Sequence, residues 1–68
     1  MFNYSKLLGK IREHGLTQEQ VAKEIGKSEA TLGAKLKGRG YFNTDEIDGI
    51  CRVLNIPTES IGTYFFAR

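Results

Sequence analysis

Apolar residues recur along this chain every three or four positions, which is the spacing of helices that bury one face. The first set predicts a helix over residues 4–13, which has Asn3 as its N-cap and ends at Gly15. A second helix begins after Thr17, which caps it in a capping box with Gln20, and ends at Gly26. The apolar members of these two faces are Tyr4, Leu7, Leu8, Ile11, Val21, Ala22 and Ile25.

A third helix follows two residues after Gly26. Ser28 is its predicted cap, Leu32 and Leu36 lie on its inner face, and Gly38 ends it. Residues 38–43 then form a loop. The loop carries two aromatic residues that we expect to pack on the core, Tyr41 and Phe42.

Two more helices complete the chain. Thr44 is the predicted cap of a fourth helix, which Asn55 and Pro57 end, and Thr58 is the predicted cap of a short fifth helix. The two apolar stripes consist of Ile47, Ile50, Cys51 and Leu54, and of Ile61, Tyr64 and Phe65. No segment alternates with the two-residue period of a strand. The pattern therefore predicts an all-α fold of five short helices in one domain, residues 1–68.

Residues 17–38 have the pattern of two short helices joined by a tight turn at Gly26. Ala22 precedes this glycine by four positions, and its small side chain suits the point where the helices cross. Leu32 follows the glycine by six positions and is predicted to hold the third helix to the core. The outer face of the third helix would then be free to contact a partner.

Two groups of residues resemble a known family. The first is Gly15-Leu16-Thr17-Gln18 with Ala22, Gly26, Ser28, Leu32 and Gly38, and the second runs from Phe42 to Pro57. The first group resembles the Cro/repressor class of helix-turn-helix proteins, which are lambda-repressor-like. The second is similar to small phage regulators of Gram-positive bacteria. The resemblance implies a compact five-helix domain that regulates transcription by placing its third helix in the major groove of operator DNA.

The resemblance also implies which residues contact DNA. Gln18 matches a position that contacts a phosphate, and positions of the third helix reach bases or backbone. The matching positions there are Ser28, Glu29, Ala30, Gly33, Ala34 and Lys37. The basic residues Lys27, Lys35 and Arg39 extend this predicted site. Lys27 and Lys35 depart from the family, which often has apolar residues at these positions, and Leu36 is expected to take over the core contact.

Two functions fit this surface. Ala30, Gly33 and Ala34 have no side chain that can form a hydrogen bond, whereas most direct base readout uses Arg, Lys, Asn or Gln. Readout of DNA would therefore be sparse, or the surface would instead contact another protein, as in an antirepressor or modulator. Residues 27–40 carry four basic side chains against Glu29 alone, and this excess favours DNA.

The run Tyr64-Phe65-Phe66 is the second candidate surface. A short helix cannot easily bury three consecutive rings, so we expect part of the run to join two copies into a homodimer. Double-stranded DNA, a second copy and another phage regulator are thus the expected partners. A dimer would read two half-sites about 34 Å apart.

Composition narrows the possible functions further. The chain has 68 residues, a net charge of +2 and one cysteine, which excludes an internal disulfide. No apolar run is long enough to cross a membrane and no signal peptide is evident, so a cytoplasmic location is expected. Nor do any residues form an acid, base and nucleophile set. We therefore expect no catalytic site, no metal and no cofactor, with His14 acting at a helix end and Cys51 in the core.

Overall fold

The computed structural model describes residues 2–68, and these form five α-helices and one short 3-10 helix. The helices are α1 Ser5–Glu13, α2 Gln18–Glu24, α3 Glu29–Leu36, α4 Thr44–Leu54, the 3-10 helix Thr58–Ser60, and α5 Ile61–Phe65. The predicted all-α fold of five helices is confirmed. Within residues 2–68, no helix combines the length and apolar character needed to span a membrane.

The N-terminal ends of α2 and α3 follow the predicted capping, whereas Tyr4, not Asn3, occupies the N-cap position of α1 and makes no side-chain cap. Asn3 lies one residue earlier, and its side chain accepts a hydrogen bond from the Ser5 N–H at 2.8 Å, across Tyr4. Thr17 and Gln20 form the predicted capping box, in which each side chain accepts from the other residue's backbone N–H at 3.1 and 2.8 Å. The Ser28 hydroxyl accepts from the backbone N–H of Thr31 at 3.1 Å. Local sequence therefore sets where these helices begin.

The last two helices begin differently from the prediction. Asn43, not Thr44, caps α4, and its side chain accepts from the Glu46 N–H at 2.8 Å. Asn43 takes this role because the glutamate three residues later can return the bond, whereas the residue three positions after Thr44 is Ile47. Thr58 makes no side-chain cap, because it lies inside the 3-10 turn that precedes α5.

The turn between α2 and α3 depends on Gly26. Its φ is +72°, in the left-handed region, and its N–H donates to the Lys23 carbonyl at 3.2 Å. The next N–H, from Lys27, donates to the Ala22 carbonyl at 2.9 Å. The same two-bond arrangement ends α3 at Gly38, so the predicted glycine stops are confirmed there.

The core lies between two helix pairs, because α2 packs on α3 and α4 while α5 packs on α1 and α4. Its buried members are Tyr4, Leu7, Ile11, Val21, Ala22, Leu32, Leu36, Ile50, Leu54, Ile56 and Phe65. Gly49 allows α4 to approach α2, since a Cβ at this position would lie 3.0 Å from Cγ2 of Ile25. The two ends of the described chain also meet, because the Asn3 N–H donates to the Ala67 carbonyl at 2.7 Å.

The two aromatic residues of the α3–α4 loop have different environments. Phe42 is half-buried, and its ring contacts Tyr4 and Phe65 edge to face, with centroids 5.3 and 5.5 Å apart. Tyr41 is 73% exposed, so its predicted packing on the core is wrong. The ring of Phe42 already fills the space between Tyr4 and Phe65. Tyr41 instead meets the ring of Phe2 at the surface, 6.1 Å between centroids.

Candidate functional site

Helices α2 and α3 are joined by the four-residue turn 25–28. Ala22 is buried at their contact, and Leu32 and Leu36 attach the inner side of α3 to the core. The opposite side of α3 is exposed or partly exposed. We call this outer surface of the helix pair the recognition face. It comprises Gln18, Lys27, Ser28, Glu29, Ala30, Gly33, Ala34, Lys37 and Arg39.

The centre of the recognition face is small and neutral. Ala30 is exposed, and Gly33 and Ala34 are partly exposed. A Cβ on Gly33 would lie 3.4 Å from Oε1 of Gln18, so the side chain at the start of α2 lies against the middle of α3. The structure thus brings Gln18 and the α3 positions onto one surface. This surface permits close approach of a partner but offers it few hydrogen-bonding groups.

Polar groups lie at the ends of the face. The Ser28 hydroxyl is engaged locally, because it caps α3 and also donates to the Thr31 hydroxyl at 2.9 Å. Lys27, Glu29, Lys37 and Arg39 are exposed, and none of them forms an ion pair with another residue in the described range 2–68. Three cations and one carboxylate therefore remain available to a partner.

Lys35 does not belong to this exposed set, which corrects the prediction that placed it in the DNA site. Its Nζ donates to both carboxylate oxygens of Glu46, each at 2.7 Å, and its side chain is 21% exposed. Glu46 is 3% exposed and also accepts from the Asn43 N–H at 2.9 Å. Pairing with Glu46 draws the Lys35 amine away from the face. The basic excess of residues 27–40 falls from three to two charges, since Lys27, Lys37 and Arg39 remain against Glu29.

The carboxyl group of Glu46 is ionised at neutral pH despite its burial. Burial by itself would raise its pKa, because a charged group is less stable away from water. The hydrogen bonds from Lys35 and from the Asn43 N–H, together with the positive charges of Lys35 and Lys27, outweigh burial and lower the pKa of Glu46 below its usual value. Lys35 and Glu46 therefore form a charged pair inside the fold, behind the recognition face.

The C-terminal aromatic run is divided between core and surface. Phe65 is 1% exposed, so it is unavailable to a second copy and its predicted place in a dimer interface is wrong. The ring of Phe65, at the end of the short helix α5, packs on Phe42, so the adjacent rings of Tyr64 and Phe66 lie on other sides of the helix. Tyr64 is partly buried against the core, while Phe66 is 49% exposed and packs edge-on to Phe2, with centroids 5.4 Å apart. Of the run, Phe66 alone keeps a large exposed ring.

His14 and Cys51, the two side chains of the sequence with reactive chemistry, both lie where they make contacts within the fold. His14 follows α1, and its Nδ1 lies 3.2 Å from the Lys10 carbonyl oxygen. Cys51 is partly buried on α4, and burial, with the charge of Asp48, raises the pKa of its thiol. Among residues 2–68, no three side chains are grouped in a way that could hold a metal ion.

Known proteins resemble the chain in sequence and in fold. The solution structure of the modulator of repression (MOR) of the temperate bacteriophage TP901-1 from Lactococcus lactis is 40% identical. That match has a TM-score of 0.79 and covers 96% of this chain and 88% of the other. A 47-residue stretch is also 40% identical to a cyanate hydratase of Laccaria bicolor. This second match includes 69% of the present chain but spans only 28% of that enzyme.

The family profile described as protein of unknown function DUF739 matches residues 1–68, the whole sequence. MOR is a phage regulatory protein and matches the chain over nearly its full length. The match to MOR confirms the predicted similarity to small phage regulators of Gram-positive bacteria, while membership of the Cro/repressor class stays a prediction. The chain belongs to the DUF739 family and is a homologue of the phage modulator of repression.

Proposed function

We propose that this chain is a non-catalytic phage regulatory protein that modulates repression by binding a phage repressor, with all 68 residues acting as one interaction domain. The observation that carries this proposal is the similarity to MOR, at 40% identity over 96% of the chain. A similarity of that extent includes the core, the helix pair and the loop after α3. Of the two functions considered from the sequence, binding to another protein is thus favoured over reading DNA.

The chemistry of the recognition face supports a protein partner. Ala30, Gly33 and Ala34 form a smooth centre on which another protein can pack closely. Most base readers have side-chain donors and acceptors at such positions. The pairing of Lys35 with Glu46 further weakens the case for DNA, because one of the four expected basic groups is engaged inside the fold.

The similarity to cyanate hydratase does not favour an enzyme. The chain spans less than a third of that protein's length, so most of the enzyme has no counterpart here. No catalytic role is therefore part of the proposal.

The proposal is tested with the repressor of the phage that encodes this chain and a fragment of that repressor's operator. We expect the chain alone to leave the operator unshifted in a gel and to change the repressor's apparent operator affinity at least about tenfold, an effect of roughly 1.4 kcal/mol. Calorimetry should detect direct binding to the repressor. An unchanged operator titration together with no binding heat would refute the proposal.

A matched pair of variants locates the contact. Ala30→Glu adds a charge to the centre of the recognition face, and Thr63→Glu adds the same charge to an exposed position of α5. Burial of an unpaired charge in an interface is costly, so Ala30→Glu should abolish repressor binding while Thr63→Glu leaves it within about twofold. Equal effects of the two changes would exclude the recognition face as the contact.

Binding to operator DNA is the second candidate, and the three exposed cations at the ends of the recognition face favour it. In this case α3 would enter the major groove, Gln18 would contact a phosphate, and a homodimer would read two half-sites. Lys37→Ala should then weaken binding to all sequences and flatten the salt dependence by roughly one unit, whereas Glu29→Ala should change the preferred sequence. If the wild-type chain shifts no fragment at low salt, this candidate fails.

A further inference from the structure

The loop after α3 is held at two points by Lys35 and Glu46. The Lys35 amine reaches the Glu46 carboxylate, eleven residues further along the chain, and that carboxylate also accepts from the Asn43 N–H at 2.9 Å. A Cβ on Gly40 would lie 3.7 Å from Cγ of Lys35, so the aliphatic part of the lysine packs against the middle of the loop. The pair therefore contacts the loop at its middle and at its end.

The loop has little other support in its second half. Its first half is fixed to α3, because the N–H groups of Gly38 and Arg39 donate to the carbonyls of Lys35 and Ala34 at 3.0 and 2.9 Å. Within residues 2–68, by contrast, the N–H groups of Gly40, Tyr41 and Phe42 donate no hydrogen bond to backbone or side chain. Without the ion pair, this part of the loop would be held by the ring of Phe42 and by the surface contact of Tyr41 with Phe2.

A buried ion pair is a poor way to raise stability. Two charges lose their hydration on burial, and well-packed apolar residues of similar volume often serve stability equally well or better. Leu36, next to Lys35, already makes the apolar contact with the core. The pair also supplies fixed geometry. The Glu46 carboxylate accepts from Lys35 on α3 and from the Asn43 N–H at the end of the loop, so it fixes the positions of both groups relative to α4.

We propose that Lys35 and Glu46 are positioning residues for partner binding. They tie the end of α3 to the start of α4 and hold the loop 37–43 between them, and this end of α3 carries Lys37 and Arg39 at the edge of the recognition face. The pair touches no partner itself and acts through the shape of the loop. The binding part of this inference rests on the proposed function, whereas the effect on the loop stands independently.

The test uses the double variant Lys35→Met with Glu46→Gln. Methionine retains an aliphatic stem beside Gly40, and glutamine retains the acceptor for the Asn43 N–H, so the charges are lost with the smallest loss of packing. We expect the ¹⁵N order parameters of Gly40 and Tyr41 to fall from about 0.85 to below about 0.6, with those of α1 and α5 unchanged. If the loop of the variant adopts the conformation that binds the repressor in only about a tenth of the molecules, the affinity for the repressor falls about tenfold.

Lys35→Arg is the conservative control, because a guanidinium can still donate to Glu46, and it should retain both loop order and affinity. Should the double variant not fold, Glu46→Gln alone carries the same test, because it removes the buried charge and leaves the Lys35 amine, on a side chain that is 21% exposed, able to reach water. An ordered loop in the charge-free variant would overturn the inference, and so would a mobile loop with wild-type repressor affinity. If the wild-type chain binds no repressor, the proposed function fails while the order parameters still decide whether the pair positions the loop.

Discussion

The helix pair and the aromatic side of this molecule fill space in opposite ways. Around α2 and α3, contacts are close because the residues are small, with Ala22 at the helix crossing and Gly49 beside Ile25. On the aromatic side, large rings meet edge to face in a series that runs from Tyr4 through Phe42 to Phe65. The difference teaches where each region is vulnerable. The helix pair should be sensitive to added atoms, and the aromatic side to removed atoms.

The largest effect is expected from removing a ring. Phe65→Ala should lower the free energy of unfolding by about 3–5 kcal/mol, enough to leave so small a domain largely unfolded, because the lost ring leaves a cavity. Phe66→Ala is the matched control one residue later, where the ring is half exposed and packs on Phe2. It should cost about 1 kcal/mol. Urea titrations followed by circular dichroism measure both, and equal losses would contradict the division of the aromatic run.

Adding atoms to the helix crossing comes next. Ala22→Leu should cost about 1–3 kcal/mol, since overpacking forces the helices or their side chains to shift. Ala30→Leu makes the same change on the exposed recognition face and should alter stability by less than about 0.5 kcal/mol. A melting temperature for Ala22→Leu that equals the wild-type value would show that the crossing has room to spare.

Two helical glycines give a finer comparison. Gly9 lies in α1, where an added Cβ would have no neighbour within 4 Å, so Gly9→Ala should stabilise the chain by about 0.5–1 kcal/mol through helix propensity. Gly49→Ala has the same gain but places its Cβ 3.0 Å from Ile25. We expect it to be less stable than Gly9→Ala by roughly 1 kcal/mol. Equal stabilisation by the two alanines would mean that Ile25 can move aside.

The pH dependence of stability should show the smallest effect. The pKa of Glu46 is lowered in the folded chain, so its contribution to stability is present above the ordinary glutamate pKa of about 4.3. The contribution is lost as the pH falls from this value through the lowered one, because in this window the unfolded chain binds a proton at Glu46 and the folded chain does not. The melting temperature, measured at several pH values from about 6 to about 3, should therefore fall more steeply with pH for the wild type than for Glu46→Gln. Parallel curves would show that the carboxylate is not held as described.

Much of the fold could be predicted because its determinants are local. Helical spacing of apolar residues gave the five helices, and glycines gave the ends of α2 and α3. The cap of α4 was also within reach of the sequence. Asn43 is followed three residues later by Glu46, which is a capping-box pattern that a threonine next to it obscured.

The rest depended on contacts distant in sequence. A lysine on a basic segment is normally solvated, and nothing near Lys35 indicates a buried carboxylate eleven residues away. Helical spacing placed Phe65 in one stripe with Ile61 and Tyr64, but α5 has only five residues, too few to exclude Phe65 from the exposed part of the aromatic run. The choice between DNA and protein as partner is harder still, since both use the same helix pair and differ only in the side chains of its outer face.

The hydrogen bond between Asn3 and Ala67 brings the two ends of the described chain together, so the helices could follow one another in a different order along the chain and keep the same arrangement in space. With these backbones 2.7 Å apart, a short glycine-rich linker could join them without disturbing α1 or α5. New ends could then be opened in the exposed turn at His14 and Gly15. Such a circular permutant would begin with the helix pair and should fold to the same structure. A tag on its new ends would lie near Gln18 and the recognition face, whereas a tag at the present ends lies next to the aromatic side.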